Sequence, residues 1–322
     1  MTTVAQRPSG ALTVWWNGAR PRTLGAGLVP VVLGTAAASE VIWWRFAAAL
    51  LVGAGLQVGV NYANDYFDGV RGVDTHERLG PPRLTASGAA SPRAVLIAAL
   101  VALGVAAVAG LALALATEPL LILFVGALAL VAALLYSGGP RPYAGLGLGE
   151  VMVFAFFGLM ATCGTAFVMV ETVPAEAWWG GAALGFLAVA ILVANNLRDI
   201  PTDEASGKRT LAVRIGDRAT RRLYRATVIA AFATIAIGVL VDIAVEGAGL
   251  PQWALFGLAA WVLAIRPMEV VGSATGRALI PVLTGTAASH AALGLLTALG
   301  LVLATVDQSS GAVPALMLGR GL

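Results

Sequence analysis

The stretch FAAALLVGAGLQVGVNYANDYFD, residues 46–68, passes from apolar sequence directly into an acidic motif. Residues 46–63 have the length and composition of a membrane-spanning helix. A second apolar run, residues 178–197, leads in the same way into NNLRDIPTD, residues 195–203. A carboxylate beside hydrocarbon is costly unless it is paired, hydrated or bound to a metal. The apolar runs therefore predict the fold, and the two acidic motifs predict a functional site.

The rest of the chain has the same membrane character. Of its 322 residues, 59% are hydrophobic and only 11% are charged, against roughly 25% charged residues in soluble domains. We predict an all-α, polytopic membrane protein with nine transmembrane helices. The spans are placed at residues 22–39, 46–63, 93–116, 119–137, 149–170, 178–197, 223–242, 250–266 and 279–304. Together they form one transmembrane domain, 22–304, between a cytoplasmic amino-terminal segment, 1–21, and an extracytoplasmic tail, 305–322.

The distribution of basic residues predicts the orientation. All but two of the 20 Lys and Arg residues fall in the amino-terminal segment or in the loops after spans two, four, six and eight; the exceptions are Arg45 and Arg320. The positive-inside rule then puts the amino terminus in the cytoplasm and the carboxyl terminus outside, which requires an odd number of spans. We therefore expect a multi-pass protein of the cell membrane with both acidic motifs on the cytoplasmic side.

The first motif has helical spacing. Its polar residues fall at i, i+3, i+4 and i+7, namely Asn61, Asn64, Asp65 and Asp68. If the second span continues as a helix, these side chains share one stripe.

The second motif repeats this logic at the end of span six, with Asn195, Asp199 and Asp203 at i, i+4 and i+8. Pro201 lacks an N–H and is expected to break a continuous helix, which would place Asp203 on a loop. A bundle that brings spans two and six together would make the two sets of carboxylates face each other across one cavity.

Carboxylates gathered in a partly dry cavity repel one another unless divalent cations lie between them. Short Asp side chains supply the hard oxygen ligands that suit Mg²⁺, which takes its remaining ligands from water and substrate phosphates. A basic loop follows each motif: the first supplies Arg71, Arg78 and Arg83, and the second region supplies Arg198, Lys208, Arg209 and Arg214. Metal ions and fixed cations in this arrangement are typical of a diphosphate-binding site.

Four stretches together resemble a known family. NDYFDGVRGVDTHERLGPPR (64–83), NNLRDIPTDEASGKRTLAVRIG (195–216), ARPRTLGAGLVPVVLG (19–34) and YSGGPRPYAGLGLGE (136–150) occur in the order found in the UbiA superfamily of intramembrane aromatic prenyltransferases. Within it they resemble most the 1,4-dihydroxy-2-naphthoate polyprenyltransferases of menaquinone synthesis, the MenA type. Asp74 lies ten residues after Asn64, whereas the 4-hydroxybenzoate and haem O branches usually have this acid at eight, where this chain has Gly72. That spacing favours the naphthoate branch.

The resemblance implies a reaction. The chain would transfer a polyprenyl group from an allylic polyprenyl diphosphate to 1,4-dihydroxy-2-naphthoate, with loss of diphosphate and CO₂, to give demethylmenaquinol. The implied cofactor is Mg²⁺. The implied partners are the two substrates and the lipid bilayer, with no nucleic acid and an oligomeric state left open.

The resemblance also implies roles for individual residues. Four aspartates would hold the metal: Asp65, Asp68, Asp199 and Asp203. Asn64 and Tyr136 are the other catalytic candidates. The substrate-binding candidates are Arg71, Arg78, Lys208, Arg198, Asn196, Asn61, Arg141 and Asp74. Glu150, at the start of span five, has either a role in the site or a role as an acidic residue at a helix amino terminus.

Three alternatives remain open. The first is a UbiA-family enzyme with another aromatic acceptor or a phytyl-type donor. The second is a CDP-alcohol phosphotransferase, suggested by Asp68 followed by Gly69, although the Ala-Arg pair expected soon afterwards is missing. The third is a cation-coupled transporter, since intramembrane acids also relay protons or bind cations. Acids gathered at one membrane face beside basic loops favour prenyl transfer over transport, which would place them at the midplane on broken helices.

Overall fold

The structure is a computed structural model that describes residues 10–72 and 83–318. Within these residues every regular element is a helix. The α-helices are α1 (Ala11–Ala19), α2 (Pro21–Ala37), α3 (Trp43–Val70), α4 (Pro92–Leu115), α5 (Pro119–Leu135), α6 (Gly149–Val153), α7 (Ala161–Val170), α8 (Ala175–Ala205), α9 (Leu211–Ala244), α10 (Trp261–Val270) and α11 (Ile280–Leu318). Short 3₁₀ segments lie at Tyr143–Leu146, Gln252–Ala260 and Gly276–Leu279, and a π-helical segment, Phe154–Met160, joins α6 to α7.

Seven helical stretches in the described residues are long and apolar enough to cross a membrane: Trp43–Val70, Pro92–Leu115, Gly149–Val170, Ala175–Ala205, Leu211–Ala244, Gln252–Val270 and Gly276–Asp307. Two more apolar helices, Thr23–Ala37 and Pro119–Leu135, are shorter. At about 1.5 Å per residue, α5 with its 17 residues covers about 26 Å, slightly less than the ~30 Å hydrocarbon core. The predicted all-α fold is thus confirmed, with seven of the predicted spans matched by helical stretches of membrane-spanning length; the other two, 22–39 and 119–137, overlap the shorter helices.

Proline and hydroxyl residues mark where helices begin. Pro21, Pro92 and Pro119 open α2, α4 and α5 at the first helical turn, where the missing N–H has no intrahelical partner to lose. The Ser91 hydroxyl accepts a hydrogen bond from the Ala94 N–H at 3.3 Å, and Thr210 caps α9 in the same way. Proline and hydroxyl residues at these breaks therefore define where the helices begin.

Helix α8 is held close to the π-helical segment by glycine. Gly158 of that segment packs against the backbone of Gly185, and a Cβ at Gly181 would meet the Gly158 carbonyl oxygen at 3.2 Å. Small residues allow membrane helices to approach this closely. The contact fixes α8, which carries the second acidic motif, against the wall of the bundle.

The predicted helix break at Pro201 is wrong. Helix α8 continues through Pro201 to Ala205, so Asp203 is helical and lies one turn beyond Asp199. Pro201 is only four positions from the helix end and its ring faces the exposed side, so it removes one hydrogen bond from a terminal turn. The Thr202 hydroxyl supports that turn by donating to the Asp199 carbonyl at 3.0 Å.

We call the end of the bundle where the acidic motifs lie the motif end, and the opposite end the far end. At the far end, Arg45 of α3 joins three helices. Its guanidinium donates to the carbonyls of Ala116 at 2.7 Å and Val168 at 2.9 Å, where α4 and α7 end. A cation is favourable beside the carbonyl end of a helix.

Arg45→Ala is expected to destabilise the folded protein by about 2 kcal/mol, because hydrogen bonds to a charged group each contribute roughly 1.5–3 kcal/mol. The measurement is the midpoint of thermal unfolding in detergent, with Arg93→Ala, an exposed arginine at the start of α4, as the matched control. Equal midpoints for the two variants would show that Arg45 does not hold these helix ends together.

Candidate functional site

A large cavity lies among the helices of the bundle. Its volume is about 1660 Å³, which exceeds the roughly 300–1,000 Å³ of most small-molecule pockets. At the motif end its walls are polar. Towards the far end they become apolar, with Leu113, Ile122 and Val168 among the lining residues. A charged head group with a long apolar tail matches this division.

Helix α3 supplies one polar wall. Asn61, Asn64 and Asp68 are buried side chains that line the cavity. The Ser137 hydroxyl, from the loop after α5, donates to Asn64 Oδ1 at 2.7 Å. The carboxylate of Asp68 accepts a hydrogen bond from Lys208 Nζ at 3.1 Å.

Asp65 belongs to the same motif but has a different environment. It is 1% exposed and is not among the residues that line the cavity. Its Oδ1 accepts from Arg20 Nη2 and Arg83 Nη1, both at 2.6 Å, and its Oδ2 accepts from the Leu84 N–H at 3.1 Å. The helical repeat spreads the motif over a stripe roughly 100° wide with Asn64 and Asp65 at opposite edges, so Asp65 faces the neighbouring segment while Asp68 faces the cavity.

Helix α8 supplies the opposite polar wall. Its cavity-lining residues include Asn195, Asn196, Arg198, Asp199 and Asp203. The buried Arg198 donates to both carboxylate oxygens of Asp199, each at 2.7 Å, and to Asn195 Oδ1 at 2.6 Å. This bidentate pairing is the geometry in which an arginine holds a carboxylate most firmly.

Asn196 lines the cavity and is held by a residue that does not line it. Its Nδ2 donates to Glu150 Oε1 at 3.0 Å. Glu150 is buried in the first turn of α6 and does not line the cavity. Glu150 is thus both an acidic residue at a helix amino terminus and a partner of a cavity residue, the two readings that the sequence left open.

The two acidic motifs converge on the cavity. Residues from both line it, and the 3.1 Å contact between Lys208 Nζ and Asp68 Oδ2 connects the segment after α8 to the end of α3. The two stretches are thus brought to the same end of the bundle although about 135 residues separate them along the chain.

The donor set fits a magnesium ion that is completed by a ligand. Asp68, Asp199, Asp203 and the Asn64 amide present hard oxygen atoms to the cavity. Among the described residues, no three His, Cys, Asp or Glu side chains lie close enough to hold one ion between them. Mg²⁺ is commonly bound by one or two carboxylates, with waters and substrate phosphates supplying the other ligands. The arrangement suits that kind of site rather than an all-protein cage.

Tyr136 also lines the cavity, at the end of α5. Its ring packs edge-on against Tyr143, with centroids 5.4 Å apart, and the Tyr143 hydroxyl donates to the Ala132 carbonyl at 2.9 Å. Burial raises the pKa of Tyr143 to about 12, so this phenol stays protonated at neutral pH and remains a hydrogen-bond donor.

Two of the predicted arginines lie away from the cavity lining. Arg71 is exposed and donates to the carbonyls of Ser137, at 2.6 Å, and Gly139. Arg141 is exposed in the loop that follows, and neither arginine lines the cavity. Asp74 and Arg78 lie outside the described residues.

Sequence reasoning missed Arg20. It was counted only as a topological charge, yet it lines the cavity at the turn between α1 and α2. Its place at the head of ARPRTLGAGLVPVVLG (19–34) is the signal that could have identified it, because that stretch carries part of the family resemblance. The basic cavity-lining residues among those described are Arg20, Arg83, Arg198, Lys208 and Arg277, against three acidic ones. The excess of positive charge favours an anionic ligand.

The UbiA prenyltransferase family model matches residues 27–270 of the chain. The chain belongs to the UbiA prenyltransferase family. It is 46% identical over 298 residues to a 1,4-dihydroxy-2-naphthoate octaprenyltransferase from Mycobacterium leprae (strain TN), a match covering 90% of this chain and 96% of that protein. The predicted resemblance to UbiA enzymes is confirmed.

Solved UbiA proteins share the fold. An apo UbiA homologue from Aeropyrum pernix K1 superposes with a TM-score of 0.66 at 16% identity, covering 88% of this chain and 98% of that chain. A UbiA homologue from Archaeoglobus fulgidus, bound to GPP and Mg²⁺, gives a TM-score of 0.63 at 16% identity, covering 90% and 99%. At this identity the comparison establishes a common UbiA architecture.

Proposed function

We propose that this UbiA protein transfers a polyprenyl group from an allylic polyprenyl diphosphate to 1,4-dihydroxy-2-naphthoate, releasing diphosphate and CO₂ and giving demethylmenaquinol for menaquinone biosynthesis. One observation carries the proposal: aspartates from two distant motifs line one cavity whose other end is apolar. The name of the relative from Mycobacterium leprae supports the choice of acceptor.

The proposal includes a membrane arrangement. The nine apolar helical stretches would all cross the cell membrane, with the amino-terminal segment, 1–21, in the cytoplasm, the transmembrane domain at 22–304, and the tail, 305–322, outside. The motif end, which carries the basic loops, would face the cytoplasm. The shorter helices α2 and α5 would span with the help of their polar flanks or a locally thinner bilayer.

Mg²⁺ is the proposed cofactor, and Asp68, Asp199, Asp203 and Asn64 are the residues that would hold it. The ion would neutralise the charge that develops on the departing diphosphate. Lys208 and Arg198, already at these carboxylates, would bind diphosphate oxygens by charge-assisted hydrogen bonds. The magnesium and GPP bound to the Archaeoglobus fulgidus homologue support this assignment.

The apolar part of the cavity would hold the prenyl tail. A tail that is already in the bilayer would enter this part without exposure to water, which would cost about 0.8 kcal/mol per CH₂. Phe156 and Phe157 of the π-helical segment line the same cavity, and aromatic faces stabilise nearby positive charge. An allylic cation formed at the polar end would thus be kept from water until the acceptor attacks.

The acceptor would lie between the donor and the Tyr136 and Asn196 wall. After the C1–O bond to diphosphate has broken, the electron-rich ring would form a carbon–carbon bond from its carboxyl-bearing carbon to C1 of the allylic cation. Loss of CO₂ then returns its bonding electrons to the ring. Asn196, fixed by Glu150, and the Tyr136 hydroxyl are the polar groups available to orient the acceptor hydroxyls.

Removal of one cavity carboxylate is expected to reduce prenyl transfer severely. Asp68→Asn and Asp199→Asn should each lower kcat by about 10²-fold or more, the usual cost of losing one electrostatic group from an active site. The assay combines detergent-solubilised protein, Mg²⁺, octaprenyl diphosphate and 1,4-dihydroxy-2-naphthoate, with product mass as the readout. Asp217→Asn is the control, because Asp217 is exposed on α9 and pairs with Arg221. Near-normal turnover in both cavity variants would refute the metal-site assignment.

Loss of the Lys208 cation is expected to weaken donor binding. Lys208→Ala should raise the KM for the prenyl diphosphate about tenfold, equivalent to ~1.4 kcal/mol of binding, and leave the KM for the naphthoate nearly unchanged. The neighbouring Arg209→Ala is the matched control, since Arg209 is exposed and does not line the cavity. An identical KM in the two variants would remove Lys208 from the diphosphate site.

The acceptor is tested by competition. In a mixture of 1,4-dihydroxy-2-naphthoate and 4-hydroxybenzoate, we expect the decarboxylated naphthoate product to dominate the mass spectrum. Dominant prenylated 4-hydroxybenzoate would move the protein to another branch of the family. Product series from donors of several lengths would report which prenyl chains the cavity accepts.

A further inference from the structure

The geometry points to a clamp for the donor diphosphate formed by Arg20 and Arg83 and positioned by Asp65. In this inference, which rests on the proposed function, Asp65 orients the two guanidinium groups and is not a ligand of the metal. Arg20 and Arg83 are the residues that touch the substrate. The clamp lies beside the carboxylates that the proposed function assigns to magnesium.

Asp65 is committed to the two arginines. Its Oδ1 accepts from Arg20 Nη2 and Arg83 Nη1 at 2.6 Å, and its Oδ2 accepts from the Leu84 N–H at 3.1 Å. Both oxygens therefore have strong donors, and the side chain is 1% exposed. Asp65 also does not line the cavity, whereas Asp68 and Asp199, although paired with Lys208 and Arg198, do line it and can be reached by an ion there.

The arginines, in contrast, reach the cavity. Both line it, with side-chain exposures of 24% for Arg20 and 9% for Arg83. Each guanidinium carries five N–H donors in a planar fork that matches phosphate oxygens. Two guanidinium groups at the cavity surface favour an anionic ligand there.

The backbone at Arg20 supports a functional role. Arg20 has φ 56° and ψ 66°, the left-handed conformation, at the turn between α1 and α2. A residue other than glycine is unfavourable in this region and persists only where its surroundings fix it. Asn61 provides that support, because its Nδ2 donates to the Ala19 carbonyl at 2.9 Å and its Oδ1 accepts from Arg20 Nη1 at 3.3 Å. The strained turn aims the arginine at α3.

The clamp also explains why three separate segments meet here. Asp65 joins the turn before α2, helix α3 and the segment at Arg83 and Leu84. Loss of its charge should therefore misdirect both arginines together. It should leave in place the carboxylate oxygens of Asp68, Asp199 and Asp203 that would bind the metal ion.

The test separates a positioning role from a metal-binding role. Binding of geranyl S-thiolodiphosphate, an unreactive allylic diphosphate analogue, is measured calorimetrically in detergent with Mg²⁺ and with EDTA for the wild type, Asp65→Asn, Arg20→Gln and Asp68→Asn. The Mg²⁺ concentration for half-maximal prenyl transfer is measured in parallel. Thermal unfolding checks that each variant is folded.

We expect Asp65→Asn and Arg20→Gln each to weaken the analogue about tenfold, with and without Mg²⁺, because each loses charge-assisted contacts to phosphate oxygens. The double variant should be little weaker than either single one, since both changes act on one network. Their half-maximal Mg²⁺ concentration should stay within about twofold of the wild type, whereas Asp68→Asn should raise it. Arg20→Lys, which keeps the charge but not the fork, should restore part of the affinity.

Three results would overturn the inference. An increase in the Mg²⁺ requirement of Asp65→Asn equal to that of Asp68→Asn would make Asp65 a metal ligand. Wild-type affinity in Arg20→Gln would remove the clamp while leaving the proposed function intact, and it decides the question even if Asp65→Asn does not fold. No binding of the analogue by the wild type would instead refute the proposed function itself.

Discussion

The structure depends on the pairing of buried carboxylates with cations from other parts of the chain. An aspartate near hydrocarbon is stable only when its charge is compensated. Asp65 is compensated by Arg20 and Arg83, Asp68 by Lys208, and Asp199 by Arg198. All but the last of these pairs connect different segments of the chain, so charge pairing at the motif end adds to the glycine-mediated packing in fixing which segments face one another.

The same pairing makes the site polar without filling it. Lys208 and Arg198 neutralise the carboxylates that remain on the cavity surface, and the two walls stay apart. An anionic ligand can therefore take the place of a carboxylate beside Lys208 or Arg198. A metal ion can take the place of a basic side chain beside an aspartate, so each charge stays paired. A site of this kind is ordered before its ligands arrive, which reduces the ordering cost of binding.

The positions of the helices could be predicted from the sequence because apolar length is a strong signal in a chain of 59% hydrophobic residues. The shared face of the motif residues could be predicted because their spacing in the sequence matches the helical repeat. The direction of a single side chain could not be predicted: Asp65 and Asp68 share one stripe, and the contacts of Asp65 with Arg20, Arg83 and Leu84 hold it away from the cavity. Arg20 was missed because its role depends on a left-handed turn. The helix break expected at Pro201 is absent because Pro201 lies in the last turns of α8, where the loss of one backbone hydrogen bond costs little stability.

The location of the acids at helix ends follows from the substrate as well as from the membrane. Charges cost least near the interface and most at the bilayer centre. A prenyl diphosphate has the same polarity as a lipid, with a charged head and a long apolar tail. A cavity that is polar at the motif end and apolar near Leu113 and Ile122 can therefore take such a molecule in the orientation it already has in the bilayer. The reacting bond then lies where the aspartates and arginines are, and the tail never has to leave an apolar environment to bring it there.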